Sequence, residues 1–126
     1  MDEPSRIGLT ATTGAQLDEL LEDLNPETGI EGIKLIKFDL YRLAVALGLK
    51  NSEPPAPLAD KSVTNLRVVE LDPNGVLATA VENSALVPEG VLIYEFIERL
   101  AERGIKAFYQ AYQQTGQLPL EEYFEE

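Results

Sequence analysis

Residues 32–49 predict a helix that is apolar on nearly every face, and this feature constrains the fold more than any other. A helix of this kind has to be buried on nearly all sides. A second copy of the chain, or its C-terminal half, must therefore cover it. The polar residues that interrupt the apolar surface are Lys34, Lys37, Asp39 and Arg42.

A short strand and another helix precede this segment. Arg6 to Thr10 alternates polar and apolar side chains, the pattern of a half-exposed strand. The threonines at 12–13 can cap a helix, and a leucine stripe at helical spacing follows them until Asn25-Pro26 ends it. The stripe consists of Leu17, Leu20, Leu21 and Leu24. The order is strand, helix, turn, helix.

The second half predicts a linker, a hairpin and a long helix. Residues 51–60 contain three prolines and predict a stiff, extended linker. Residues 66–70 and 76–81 predict two strands, and residues 72–75 (Asp-Pro-Asn-Gly) have the composition of the turn of a β-hairpin. Residues 91–112 keep helical spacing and predict a long C-terminal helix.

The composition excludes several kinds of active site. The chain has no cysteine and no histidine, which removes disulfides, Cys/His zinc sites, thiol nucleophiles and Ser-His triads. Residues 29–32 are not followed by the Gly-Lys-Ser/Thr of a phosphate-binding loop, and no acidic cluster has the spacing of a calcium loop. We therefore predict a protein that is not an enzyme, with no catalytic residue, no metal site and no cofactor.

The N-terminal sequence lacks the basic region and apolar run of a signal peptide. The longest apolar stretch, around Leu43 to Leu49, is much shorter than a membrane span. The sequence predicts a cytoplasmic protein with no membrane contact.

The net charge of −12 repels the polyanionic backbone of nucleic acids at long range. The charge is uneven, because residues 30–50 carry four basic and two acidic residues between acidic ends. Lys34, Lys37 and Arg42 are therefore the candidate phosphate contacts. The alternative, which the neighbouring acids Glu31 and Asp39 favour, is that they form the exposed edge of a mostly buried helix.

The order of the first fifty residues resembles the ribbon-helix-helix arrangement of MetJ- and Arc-type proteins. That resemblance implies that two copies pair their N-terminal strands and share a core. The candidate oligomer-interface residues are Ile7, Leu9, Ile36, Leu40, Leu43 and Leu47. The fold class is then α+β: a ribbon-helix-helix-like part at 1–50, the linker at 51–60, and a hairpin with a long helix at 61–126, in a single domain of 1–126.

A narrower resemblance covers about residues 6–58. The segments 6–10 (Arg-Ile-x-Leu-Thr), 16–20, 28–30 (Thr-Gly-Ile) and 42–49 (Arg-Leu-Ala-Val-Ala-Leu-Gly-Leu) are similar to the N-terminal half of the DndE family, small proteins of bacterial DNA sulphur-modification (phosphorothioation) systems. The resemblance implies a homo-oligomer that associates with DNA or nicked DNA and with modification enzymes, without chemistry of its own. This chain differs in charge, because acids crowd residues 16–28. We therefore expect its contact with DNA to be weak or indirect.

Three functions follow as hypotheses. The first is a non-catalytic accessory or assembly subunit of a DNA modification or defence complex, bound to a larger DNA-modifying partner. The second is a transcriptional or antitoxin-like regulator that reads DNA through the ribbon residues Arg6, Gly8 and Thr10. The third is an acidic inhibitor that mimics DNA, although the acids cluster at the two ends of the chain rather than along a rod.

Overall fold

The computed structural model describes residues 4–24, 37–50, 53–60 and 62–115. Within these residues β1 and β2 form a two-stranded antiparallel sheet, and helices pack against it. The α+β class, the N-terminal strand followed by a helix, and the long C-terminal helix are confirmed. The elements are β1 (Arg6–Thr10), α1 (Ala11–Leu24), α2 (Lys37–Lys50), β2 (Ser62–Arg67), α3 (Val68–Leu71), α4 (Val76–Asn83) and α5 (Ile93–Thr115).

β1 pairs with β2 of the same chain. Ile7 lies opposite Leu66 and Leu9 opposite Val63, with an irregularity of the register between them at Gly8. A Cβ atom at Gly8 would lie 1.7 Å from the carbonyl oxygen of Val63. The close approach of the two backbones at this point therefore requires glycine.

α5 covers the apolar helix α2, so the C-terminal half of the chain provides this burial. Leu40, Ala44 and Val45 of α2 have no exposed surface. The two helices approach closely at Gly104, where a Cβ atom would lie 2.4 Å from the carbonyl oxygen of Ala44. Gly104 is therefore a contact point of this helix pair.

The residues proposed for an oligomer interface are mostly core residues of one chain. Ile7, Leu9 and Leu40 are buried, and Leu43 and Leu47 are partly buried against the same core. Ile36 lies outside the described residues. α5 and β2 cover Ile7, Leu9 and Leu40 within one chain, so these three side chains are not exposed to a second copy in this structure. Homo-oligomerisation stays a prediction, but the apolar surface of α2 no longer requires it.

The predicted hairpin was wrong. Only residues 66–67 of the first predicted strand belong to β2, and residues 76–81 belong to helix α4. The turn at 72–75 is present, with Gly75 at φ 69°, but it leads into a helix. Asp72 explains the difference: its two carboxylate oxygens accept the N–H groups of Leu77 and Ala78, each at 3.0 Å, and so cap the start of α4.

Two helix boundaries differ from the prediction, and the start of a third helix lies outside the residues that the structure describes. α1 begins at Ala11, and Thr10 caps it through the N–H of Thr13, 3.4 Å from the Thr10 hydroxyl oxygen. α5 runs from Ile93 to Thr115 rather than over 91–112. Residues 32–36 of the predicted second helix lie outside the described residues. None of the described helices has the length and apolar character needed to cross a membrane.

Candidate functional site

Side chains of α5 and α2 close the edge of β1 that β2 leaves open. The Gly8 N–H donates to Oε2 of Glu98 at 2.8 Å, and the Thr10 N–H donates to Oε1 of Glu102 at 3.1 Å. The Tyr41 hydroxyl donates to the Gly8 carbonyl oxygen at 2.8 Å. Alternate residues of a strand direct their backbone groups to the same edge, so these bonds replace part of a third strand. A second copy cannot pair with this edge without displacing them.

Glu102 is the centre of this buried network and is only 6% exposed. Besides the Thr10 N–H, it accepts the hydroxyl groups of Thr10 at 2.8 Å and Thr13 at 3.0 Å through Oε2. Lys106 Nζ lies 3.4 Å from the same oxygen, from the exposed side of the helix. The carboxylate thus joins β1, the first turn of α1 and α5. Hydrogen bonds within the protein occupy the carboxylate oxygens of Glu102. The carboxylate therefore has little capacity to exchange a proton with a substrate.

Two groups in this network titrate away from their ordinary ranges. Burial raises the pKa of Glu98, and the carboxylates of Glu95 and Glu102 raise it further, against the lowering effect of the Gly8 N–H and the Ser62 hydroxyl. Burial also raises the pKa of Tyr41 well above its ordinary value, with Glu98 and Glu102 adding to the shift. Tyr41 therefore stays a neutral donor to the strand.

We expect Glu98→Gln to alter the pH dependence of stability. The pKa of Glu98 is higher in the folded protein than in the unfolded chain, so the folded state binds more protons and stability falls as pH rises through that interval. Glutamine keeps an oxygen for the Gly8 N–H without the charge. The stability of the variant relative to the wild type should increase as the pH rises above the ordinary pKa of a glutamate.

Urea unfolding at several pH values measures this difference. Glu82→Gln, at an exposed position of α4, is the matched control and should change the profile less. A variant whose pH profile runs parallel to that of the wild type would contradict the assignment of the shift to Glu98.

The described residues form an apolar groove between α1 and β2, with a volume of about 290 Å³. One wall is a stripe of α1, and the other is β2, where Val63 is 51% exposed. Neither Glu98 nor Glu102 is among its lining residues. The α1 stripe consists of Ala11, Gly14, Ala15 and Asp18.

The structure describes the side chains of three of the five candidate DNA contacts, Arg6, Thr10 and Arg42. Arg6 is exposed and lies directly opposite Arg67 in the sheet. Thr10 is 6% exposed and its hydroxyl is bonded to Glu102, so it cannot contact a base in this conformation. Lys34 lies outside the described residues, as does the side chain of Lys37 at the start of α2. Of these four candidates, the described side chains are an exposed Arg6 and a buried Thr10.

Arg42 binds backbone groups of its own chain. Its Nε donates to the Leu71 carbonyl oxygen at 2.9 Å, and Nη2 donates to the Glu70 carbonyl oxygen at 3.2 Å. Its Nη1 is 3.4 Å from Asp39 Oδ1, and the guanidinium lies 5.8 Å from the centre of the Phe38 ring. The guanidinium therefore caps the end of α3, a structural role that the sequence pattern did not predict.

The sequence contained signals for two features that the sequence-based prediction missed. Glu98 and Glu102 are one helical turn apart and border the apolar stripe of α5, where an acid has to be bonded if it is buried. Gly14 interrupts a helix with no turn nearby, although glycine is unfavourable there. Tertiary contacts bring these residues to their neighbours in β1 and β2. The spacing of residues along the sequence carries no information about those contacts.

No protein-family model, curated protein or solved structure matches this chain. Among the residues that the structure describes, no group of three or more acidic side chains comes together as it would around a metal ion.

Proposed function

We propose that this chain is a non-catalytic accessory or assembly subunit of a DNA modification or defence complex, and that it acts in the cytoplasm by binding a larger partner protein. The observation that carries the proposal is the open apolar groove between α1 and β2, which has Asp18 among its lining residues. Open apolar surface bordered by polar residues is typical of protein-binding sites. The DNA-modification context comes from the similarity of residues 6–58 to the DndE family.

The distribution of charge favours a protein partner over direct DNA binding. Asp18 lines the groove, and Glu19 and Glu22 are exposed on the same helix. Arg42, a candidate phosphate contact, already binds the backbone of α3. The ribbon residues Gly8 and Thr10 are buried, which disfavours a regulator that reads bases through them.

Affinity purification from the native host tests the assembly role. A tagged chain, treated with nuclease, should retain a stoichiometric larger protein that mass spectrometry identifies as a DNA-modifying or DNA-defence enzyme. Nuclease treatment is the control for bridging by DNA. Recovery of the chain alone, at native expression level and low salt, would contradict the proposed function.

We expect the isolated protein to bind DNA weakly, with a shallow salt dependence, because few phosphate contacts are available. Each lost contact lowers the slope of log K against log salt by about 0.9. Gel shifts with intact, nicked and operator-like duplexes measure this, with Arg6→Ala as the variant and Lys106→Ala as the matched loss of an exposed positive charge.

Tight discrimination among intact sequences, lost in Arg6→Ala, would contradict the subunit and favour the regulator. Complete absence of DNA binding together with salt-sensitive capture of a basic enzyme would favour the DNA mimic.

A further inference from the structure

Gly14 occupies an interior position of α1 at which the described fold does not require glycine. A Cβ atom built on it meets no described atom within 4 Å, and its backbone does not have positive φ. By contrast, Gly8 and Gly104 sit where a Cβ atom would strike another backbone. Glycine is among the least favourable residues in a helix interior. Gly14 therefore lowers the helix propensity of α1 without a described contact that requires it.

Gly14 belongs to a stripe of small side chains in the groove. Ala11, Gly14 and Ala15 stand at i, i+3 and i+4 of α1, and the groove continues to Val63 on β2. Helix axes come closest where the side chains at the contact are small. The wall of α1 therefore has the shape that accepts a second helix, and the half-exposed Val63 gives that helix an apolar contact on the other side.

The end of the stripe is acidic. Asp18 lines the groove one turn beyond Gly14, and Glu22 is exposed one turn further along α1. The net charge of the whole chain is −12. A segment with lysine or arginine side chains would be attracted to this surface, and an acidic segment would be repelled.

We propose that the α1–β2 groove binds a basic amphipathic helix of the partner protein. Apolar residues of that helix at i, i+3, i+4 and i+7 pack over Ala11, Gly14, Ala15 and Val63, and its lysines or arginines lie beside Asp18 and Glu22. Ala11 and Glu22 are eleven residues apart, about 16 Å along the axis, so about three turns of the partner helix are in contact. This inference deepens the proposed function and depends on it for the partner.

The test uses a designed eighteen-residue helical peptide, with leucine at the apolar positions and lysine elsewhere, and a twin with glutamate in place of lysine. We expect the lysine peptide to bind with a Kd in the micromolar range and to shift the methyl NMR signals of Ala11, Ala15 and Val63. The glutamate twin should not bind. Gly14→Leu, which fills open space, should weaken binding roughly tenfold at an unchanged or higher Tm.

Ala80→Leu is the matched control, because it places the same bulky side chain at an exposed position of α4, outside the groove. It should leave peptide binding unchanged. The inference would be overturned if the lysine peptide shifted NMR signals across the acidic residues in general and bound Gly14→Leu as tightly as the wild type. Charge attraction alone would then explain the binding. A fall in Tm for both Gly14→Ala and Gly14→Leu would overturn it as well, since the chain itself would then fill the groove.

The two proposals fail in different ways. If Gly14→Leu still co-purifies the host partner while the peptide does not shift the groove methyl signals, the subunit role holds and the groove is not its binding site. If the wild-type chain recovers no partner from the host, the proposed function itself is overturned.

Discussion

Gly104→Val is expected to unfold the protein or to leave it only marginally stable. A Cβ atom at this position would lie 2.4 Å from the Ala44 carbonyl oxygen and 2.7 Å from the Ala44 Cα atom. Both are backbone atoms of α2, so no side-chain rotation can relieve the overlap. Overpacking costs about 1–3 kcal/mol where side chains can adjust. We expect a larger loss here, against a total stability of about 5–15 kcal/mol for a domain.

Gly104→Ala and Gly14→Ala form a matched pair of substitutions in helix interiors. Alanine raises helix propensity by about 1 kcal/mol at both positions. At Gly14, where no described atom is near, this gain should appear as higher stability. At Gly104 the overlap with Ala44 should outweigh it and lower stability. Urea unfolding followed by circular dichroism measures both, and a Gly104→Ala protein as stable as the wild type would contradict the observed helix contact.

Glu102→Ala should cost about 3–5 kcal/mol of folding free energy. The substitution leaves the Thr10 N–H and the hydroxyl groups of Thr10 and Thr13 without their acceptor in a buried site. Each unsatisfied buried group costs about 1–3 kcal/mol, and the contributions are not additive. The loss should appear in urea unfolding and as faster amide exchange at Thr10.

Glu102→Gln should be milder, because its amide oxygen still accepts a hydrogen bond and the threonine hydroxyls can rotate. Glu95→Ala, at an exposed position two turns earlier on α5, is the matched control and should change stability by less than about 0.5 kcal/mol. Equal effects of Glu102→Ala and Glu95→Ala would contradict the network as a major source of stability.

Helical periodicity was enough to locate α1 and α5, because each carries a continuous apolar stripe. It failed at α4, since a short apolar run such as residues 76–81 fits a strand or a buried helix equally well. The deciding residue is Asp72, whose carboxylate accepts the first N–H groups of α4 and also the Tyr94 hydroxyl, at 2.8 Å. Whether an aspartate in a turn caps a helix depends on this tertiary arrangement.

For α2, the sequence did not indicate which segment of the protein buries it. An apolar helix has to be buried, and the sequence left open whether a second copy or the C-terminal half does this. Ala44 and Gly48 on α2, with Leu100 and Gly104 on α5, allow a close crossing within one chain. The groove was not predicted for a related reason: α1 and β2 are distant in sequence, and only folding brings the small residues of α1 beside Val63.

The closure of β1 has a consequence for the order in which the protein can fold during synthesis. The acceptors of its open edge, Glu98 and Glu102, lie 90 and 92 residues after the donors they bind. Contacts between such distant residues form late. A ribosome-bound chain that ends before α5 therefore has a strand with unpaired backbone groups, which is a template for aggregation. Native closure of the N-terminal strand has to wait for translation of the C-terminal helix.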